Sequence, residues 1–254
     1  FEIEERLQAM LDIPVLHDDQ HGTAVVSMAA LKVAANRSDV DIGKAVIGQI
    51  GLGAAGNAIG KMLMGLTGNP VYGADLSDEA VKRFEDAGGR KSNLKEIMAE
   101  CDIVIATTGA PNLIKPEMVR KGQIILALSN PNAEIDPDVA LANGAAFAAD
   151  GKSVNNVLGF PGIFRGTLDV RARTITDEMC FAAAQAMANH VGDRLAADFI
   201  LPNMDDWEVF PREAAAVAMK AQEQGLARIM LDYDECYAHA HKMIKRSRDL
   251  THMM

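Results

Sequence analysis

Three glycines spaced Gly51-x-Gly53-x-x-Gly56 follow a β-rich run at residues 45–50 (AVIGQI) and open a stretch of helical spacing at 54–66. Strand, turn and helix in that order form the setting in which this pattern cradles a dinucleotide. Gly51 permits the tight turn, Gly53 leaves no Cβ in the path of a pyrophosphate, and Gly56 lets helix and strand pack closely. The helix start adds unsatisfied N–H groups and the positive end of its dipole, so Gly51, Leu52, Gly53, Ala54, Ala55 and Gly56 are together expected to border the phosphates. Asp75 stands nineteen residues beyond Gly56, at the end of a second β-rich run. An acid there accepts hydrogen bonds from ribose hydroxyls and repels a 2′-phosphate. The next cations are Lys82 and Arg83, so NAD is favoured over NADP. The plain alternative, in which the glycines only reverse the chain and Asp75 caps a helix, does not explain why all four features fall in register.

Two other groups of residues could do chemistry. His17-Asp18-Asp19-Gln20-His21 precedes a buried helical stretch. Adjacent carboxylates repel, so a tight acidic loop suits a divalent cation such as Mg²⁺ or Mn²⁺, with one Asp facing it. Helix capping by Asp19 or Gln20 explains the same residues, and spacing alone leaves both readings open. Ser129-Asn130-Pro131 follows the apolar run 123–128, where ligands of open α/β sheets bind, and Asn155-Asn156 lies in a polar, Gly-rich stretch. Amides donate and accept, which suits a small hydroxy acid or a nicotinamide carboxamide. Asn-Pro is also an ordinary turn former.

Elements must bring these groups together. Residues 45–50, 68–74, 102–107 and 123–128 are short apolar runs with turn residues after them, and helical patterns alternate with them at 54–66 and 77–87. Ser77 is the expected N-cap of the latter, with Gly88-Gly89 as its stop. This alternation predicts an α/β fold, a doubly wound, Rossmann-like parallel sheet with additional C-terminal helices. Residues 1–36 form lead-in helices and the acidic loop, 40–160 the sheet domain, and 161–254 the C-terminal helices. The opening FEIEERLQAM is an amphipathic pattern with Phe1, Ile3, Leu7, Met10 and Leu11 on one side, and 22–36 is a helix apolar nearly all round. A seventeen-residue loop is expected at 150–166, with helices at 163–173, 176–190, 211–224 (Pro211 first) and 233–248.

Composition sets outer limits. The 254 residues are 49% hydrophobic and 24% charged, ordinary for a globular chain. No apolar run is long enough to span a membrane. A formal net charge of −10 argues against sequence-independent nucleic-acid binding, which needs a cationic face. Cys101, Cys180 and Cys236 lie far apart and read as buried thiols of a cytoplasmic protein. The chain opens at Phe1, without an initiator Met or a secretory signal, which is the expectation for a fragment or a processed chain.

Taken in order, the segments 13–24 (IPVLHDDQHGTA), 51–56, 129–135 (SNPNAEI) and 155–169 (NNVLGFPGIFRGTLD) resemble those of the malic enzymes, most closely the smaller bacterial type, with Leu16 and Thr167 as conservative variants. The resemblance implies oxidative decarboxylation of L-malate to pyruvate and CO₂ with NAD(P)⁺ and Mg²⁺ or Mn²⁺. It implies Asp19 as a metal ligand and Asp18 as the neighbour that orients a catalytic lysine. Asn130 and Asn156 resemble residues contacting substrate and nicotinamide, and Thr23 and Thr107, Thr108 and Gly109 are expected along the cofactor. A homo-oligomer is implied for the intact enzyme.

The chain departs from the family in one respect. The resemblance places two further metal ligands, a Glu-Asp pair, and a catalytic Tyr and Lys in an N-terminal domain upstream of Phe1. Tyr72, Tyr233 and Tyr237 do not match that motif, and no lysine of the chain fits the base. The expectation is therefore a chain that holds the cofactor half of an active site, binds dinucleotide and turns over malate negligibly alone. A Rossmann dehydrogenase of the amino-acid dehydrogenase type would need neither HDDQHGTA nor the asparagines before FPGIFRG. A dinucleotide-binding module without chemistry is the third reading.

Overall fold

The structure, a computed structural model, describes residues 2–192 and 200–252. Among them six strands form one parallel sheet in the order β3-β2-β1-β4-β5-β6. The strands are β1 (Ile47–Ile50), β2 (Tyr72–Ala74), β3 (Arg90–Lys91), β4 (Ile103–Ala106), β5 (Ile124–Ala127) and β6 (Phe147–Asp150). β1 sits between β2 and β4, with Gly48 beside both Tyr72 and Val104. The order reverses at β1, so the crevice outside its carboxyl end is where a ligand of a doubly wound sheet belongs.

Strand alternation builds two cores. Ile103, Ile105, Ile124 and Leu126 face one layer, while Val104, Ala106, Ile125 and Ala127 face the other. The first layer holds α2 (Asp18–Ser38), α3 (Ala54–Thr67), α4 (Asp78–Asp86) and the C-terminal helices α7 (Phe160–Asp169), α8 (Asp177–Val191), α9 (Val209–Glu223) and α10 (Tyr233–His252). The second holds α5 (Leu94–Glu100) and α6 (Pro137–Ala142). Ser77 caps α4, its hydroxyl accepting from the Ala80 N–H at 3.3 Å, and Thr176 caps α8 in the same way. The three cysteines are buried free thiols, and burial pushes Cys180 up to about 12. No helix among the described residues is long and apolar enough to cross a membrane.

Several boundaries differ from expectation. His17 through His21 are not a loop before a helix at Gly22: α2 begins at Asp18, whose charge and that of Asp19 suit the positive end of the helix dipole. Neither Asp19 nor Gln20 caps it, because the N-cap residue is His17, without a side-chain bond. The expected seventeen-residue loop shrinks to a short connection: β6 runs to Asp150, a single turn covers Asn156–Leu158, and α7 starts at Phe160 rather than 163. Pro161 sits in the first turn of α7, where a missing N–H costs no helical hydrogen bond. Pro211 is the third residue of α9, not the first. α1 (Glu2–Met10) forms, but Ile3, Leu7, Met10 and Leu11 are exposed and its buried side chain is Glu4; Phe1 lies outside the described residues.

Candidate functional site: a dinucleotide cleft and an acidic helix start

β1 ends in the glycine turn. Gly51 takes φ +86, and a Cβ there would meet the Thr107 carbonyl oxygen at 2.6 Å. A Cβ on Gly56 would fall 1.9 Å from the Gly51 carbonyl oxygen, so the first turn of α3 rests directly on the turn it leaves. At Gly53 a Cβ would meet nothing within 4 Å. Gly53 is also the N-cap of α3 and offers no side chain to its N–H groups, and Ala54 is exposed beside it. Open space over an uncapped helix start is a cradle that fits a pyrophosphate. Leu52, between the glycines, turns its side chain into the core and spends its N–H on Asp75 Oδ2 at 2.6 Å. Ala55 is half-buried on the same turn.

Asp75 is fixed by that bond and by the Ser77 N–H, which donates to Oδ1 at 2.8 Å. It lines a cleft of about 460 Å³ with Gly51, Gly53, Thr107 and Thr108. Leu76, Asn93 and Leu113 also line it and were not singled out in the sequence; Leu76 is fully exposed at its mouth, an apolar surface suited to a flat base.

Thr107 serves the turn from the next strand, its hydroxyl donating to the Gly51 carbonyl at 3.2 Å and accepting from Gln49 Nε2 at 2.9 Å. Gln49 is fully buried in β1 and also reaches the Gly51 carbonyl at 3.0 Å. Asn57 donates from its amide to the Leu52 carbonyl. A polar residue inside a buried strand and an amide just past the glycine motif were the available signals for these two. Gly109, at φ +70, donates its N–H to the Ser129 hydroxyl at 2.8 Å. Asn130, exposed and followed by a cis peptide bond to Pro131, donates to the Gly151 carbonyl at 3.0 Å just past β6.

The acidic pair lies at the first turn of α2. Asn156 Nδ2 donates to Asp18 Oδ2 at 3.1 Å, joining two motifs 138 residues apart. Asp18 Oδ1 is buried and has no hydrogen-bond partner among the described residues. It lies where a Cβ on Gly22 would stand, which accounts for glycine in the HDDQHG segment. Burial, then the charge of Asp19, raise the Asp18 pKa against a lowering pull from His17. Asp19 is exposed on the same turn, and Thr23, half-buried one turn on, accepts from the Ser27 hydroxyl at its carbonyl. Glu4 of α1 braces the turn from behind: it accepts from the His17 N–H at 2.8 Å and pairs with His21 at 3.0 Å.

The residues present therefore fit a dinucleotide but not a complete metal centre, since no three potential ligands converge among the described residues. Asp18 and Asn156 meet in the connection that follows β6, whose Gly151 lies against Leu128 and Asn130 beyond β5.

Residues 137–223 match the family described as malic enzyme, NAD binding domain. An NAD-dependent malic enzyme of Bacillus subtilis is 55% identical over 220 residues, which are 85% of this chain and 49% of that protein. The chain belongs to the malic enzyme family. An NADP-dependent malic enzyme of Rhizobium meliloti is 36% identical over 90% of this chain and 35% of its own length. The crystal structure of Entamoeba histolytica malic enzyme superposes with a TM-score of 0.91 at 31% identity, covering 99% of this chain and 58% of that one. The chain thus spans between about a third and three fifths of the length of these relatives, and its parallel sheet is Rossmann-like, as in the malic enzyme structures it matches.

Proposed function

We propose that this chain supplies the cofactor-binding part of an enzyme that oxidises L-malate with NAD(P)⁺, releasing pyruvate and CO₂, with NAD slightly preferred because of Asp75. The observation that carries the reading is the Asp18–Asn156 hydrogen bond, which unites the acidic helix start with the asparagine turn in the connection after β6. Such a site can hold a small polar acid beside the reactive end of a cofactor.

When bound, the nicotinamide accepts the hydride from C2 of malate. The chain's own residues bind and orient. The turn from Gly51 to Gly56 holds the pyrophosphate, Asp75 takes the adenosine ribose, and Thr108 and Gly109 border the cofactor beyond. Asn130 and Asn156 present amides to substrate and carboxamide. Asp18 has a buried oxygen with no partner and a pKa raised by burial. A cationic group completes such a site, which supports its reading as the neighbour of a catalytic lysine contributed from outside these residues. Asp19 is assigned one ligand position on Mg²⁺ or Mn²⁺. No two further ligands join it among the described residues.

The reading divides the chain into a lead-in and acidic turn (1–36), a cofactor domain (40–160) and helices that buttress it (161–254), within a homo-oligomeric cytoplasmic enzyme. Titration of NAD⁺ with and without Mn²⁺ and malate tests it. Asp19→Ala should keep dinucleotide affinity within about twofold while weakening Mn²⁺ binding about tenfold or more. Loss of NAD⁺ binding with intact metal binding would reverse the roles. Turnover of malate by this chain alone at ordinary enzymatic rates would sink the division of labour.

A further inference from the structure

We infer that Glu134 is the positioning residue for the nicotinamide half of the cofactor. The inference rests on the dinucleotide reading above and gives a role to a residue of the 129–135 segment that has none so far. Glu134 is fully buried. Its Oε1 accepts from the Thr108 N–H at 2.6 Å, the Thr108 hydroxyl at 2.8 Å and the Ser129 hydroxyl at 2.5 Å, and Oε2 accepts from the Ser129 N–H at 3.3 Å. Those two hydroxyls accept in turn. Ser129 Oγ takes the Gly109 N–H at 2.8 Å, and Thr108 Oγ1 takes the Ala110 N–H at 3.1 Å. Three successive backbone N–H groups, at 108, 109 and 110, are thus tied to one carboxyl group directly or through a single hydroxyl. The next residue after Ser129 is Asn130, whose amide reaches across to Gly151.

The sheet order says which half of the cofactor this network serves. Asp75 ends β2 on one side of the β1 turn, while the loops held by Glu134 follow β4 and β5 on the other. A dinucleotide with its pyrophosphate on the glycine turn and its adenosine ribose at Asp75 must run its other half across those loops. Glu134 itself has neither oxygen at the surface, so it acts through the backbone it holds and not by touching the cofactor. Glutamine keeps the shape but has one accepting oxygen, and its NH₂ would face N–H or O–H donors already aimed at the site. Either the 107–110 turn or Ser129 must then let go.

The test compares a ligand carrying both halves with one carrying only the adenosine half, on the wild-type chain, Glu134→Gln and Ser129→Ala. NADH binding is read by nicotinamide fluorescence and ADP binding by calorimetry, with thermal melting alongside. Glu134→Gln should weaken NADH about tenfold or more and leave ADP within about twofold, and Ser129→Ala should lose about threefold for NADH alone. A purely architectural residue would instead lower the melting temperature and both affinities together. Parallel losses, or unchanged NADH affinity in both variants, overturn the inference. If Glu134→Gln fails to fold, Ser129→Ala and Thr108→Val decide it by the same NADH-against-ADP comparison. A wild-type chain that binds neither ligand would remove the dinucleotide reading itself, an outcome distinct from a wild type that binds while its variants bind equally well.

Discussion

The glycine turn and the acidic start of α2 are built differently. Around the turn most donors close on acceptors of this chain: Gln49 and Thr107 hold the Gly51 carbonyl, Asp75 holds the Leu52 N–H, and Glu134 holds the loop beyond. The helix start over Gly53 is left open, and open space there is what a phosphate requires. The acidic start has partners on one side only. Asn156 and Glu4 brace it, while a buried oxygen of Asp18 has none among the described residues and the apolar side chains of neighbouring α1 face outward. On the proposed function, the chain completes a binding site for one reactant and carries only part of the site for another.

The contrast can be broken or sharpened by substitution. The largest effect is expected at Gly56→Val: the new side chain meets backbone, so stability should fall by about 3 kcal/mol or more, seen as a lower urea midpoint. Survival of that variant with normal stability would show that the turn is not closed.

Glu213, fully buried on α9 against Gly162 of α7, is a second carboxyl group whose oxygens have no hydrogen-bond partner among the described residues. Burial raises its pKa well above the usual 4.5, against a lowering pull from the Gly162 N–H. The folded state therefore holds the proton more tightly than the unfolded chain, and this group's contribution to stability falls as pH rises above 4.5. Glu213→Gln should remove that slope and add about 1–3 kcal/mol near neutral pH, measured by urea melts at pH 5 and pH 8. A variant with an unchanged slope would show that Glu213 is not its source.

Gly53→Ala should leave stability within about 0.5 kcal/mol, since nothing stands in the way, while NADH affinity falls about tenfold. Undiminished NADH affinity would mean the pyrophosphate lies elsewhere. The smallest effect belongs to Asp18→Asn. Its raised pKa has the same sign of pH dependence, but the group is only part-buried, so a gain under about 1 kcal/mol above pH 5 is expected. A large loss would mean that the carboxylate is fully satisfied as it stands.

Much of this was legible in the chain. β1, β2, β4 and β5 announce themselves as bounded apolar runs, and the glycine spacing locates the crevice because each glycine answers a separate steric demand. β6 was missed because FAAD is short and rich in small residues, and β3 because two exposed residues carry no pattern. The start of α7 was hidden by Gly159, Pro161 and Gly162, which read as loop. Pro161 is harmless in a first turn, and Gly162 is needed where Glu213 packs against it. Glu134 illustrates a general obstacle: a buried acid acquires meaning from its donors, and those arrive from β4 and β5 only after the sheet has formed.

The bare Gly53 cap has a further consequence. A helix that begins without a side chain to receive its leading amides is finished by whatever anion settles there, so a dinucleotide held as proposed is also a structural member of α3. Saturating NADH should slow hydrogen exchange at Ala54 and Ala55 and raise the melting temperature together. The strength of the protein's hold on its cofactor can then be read as protection at those two amides.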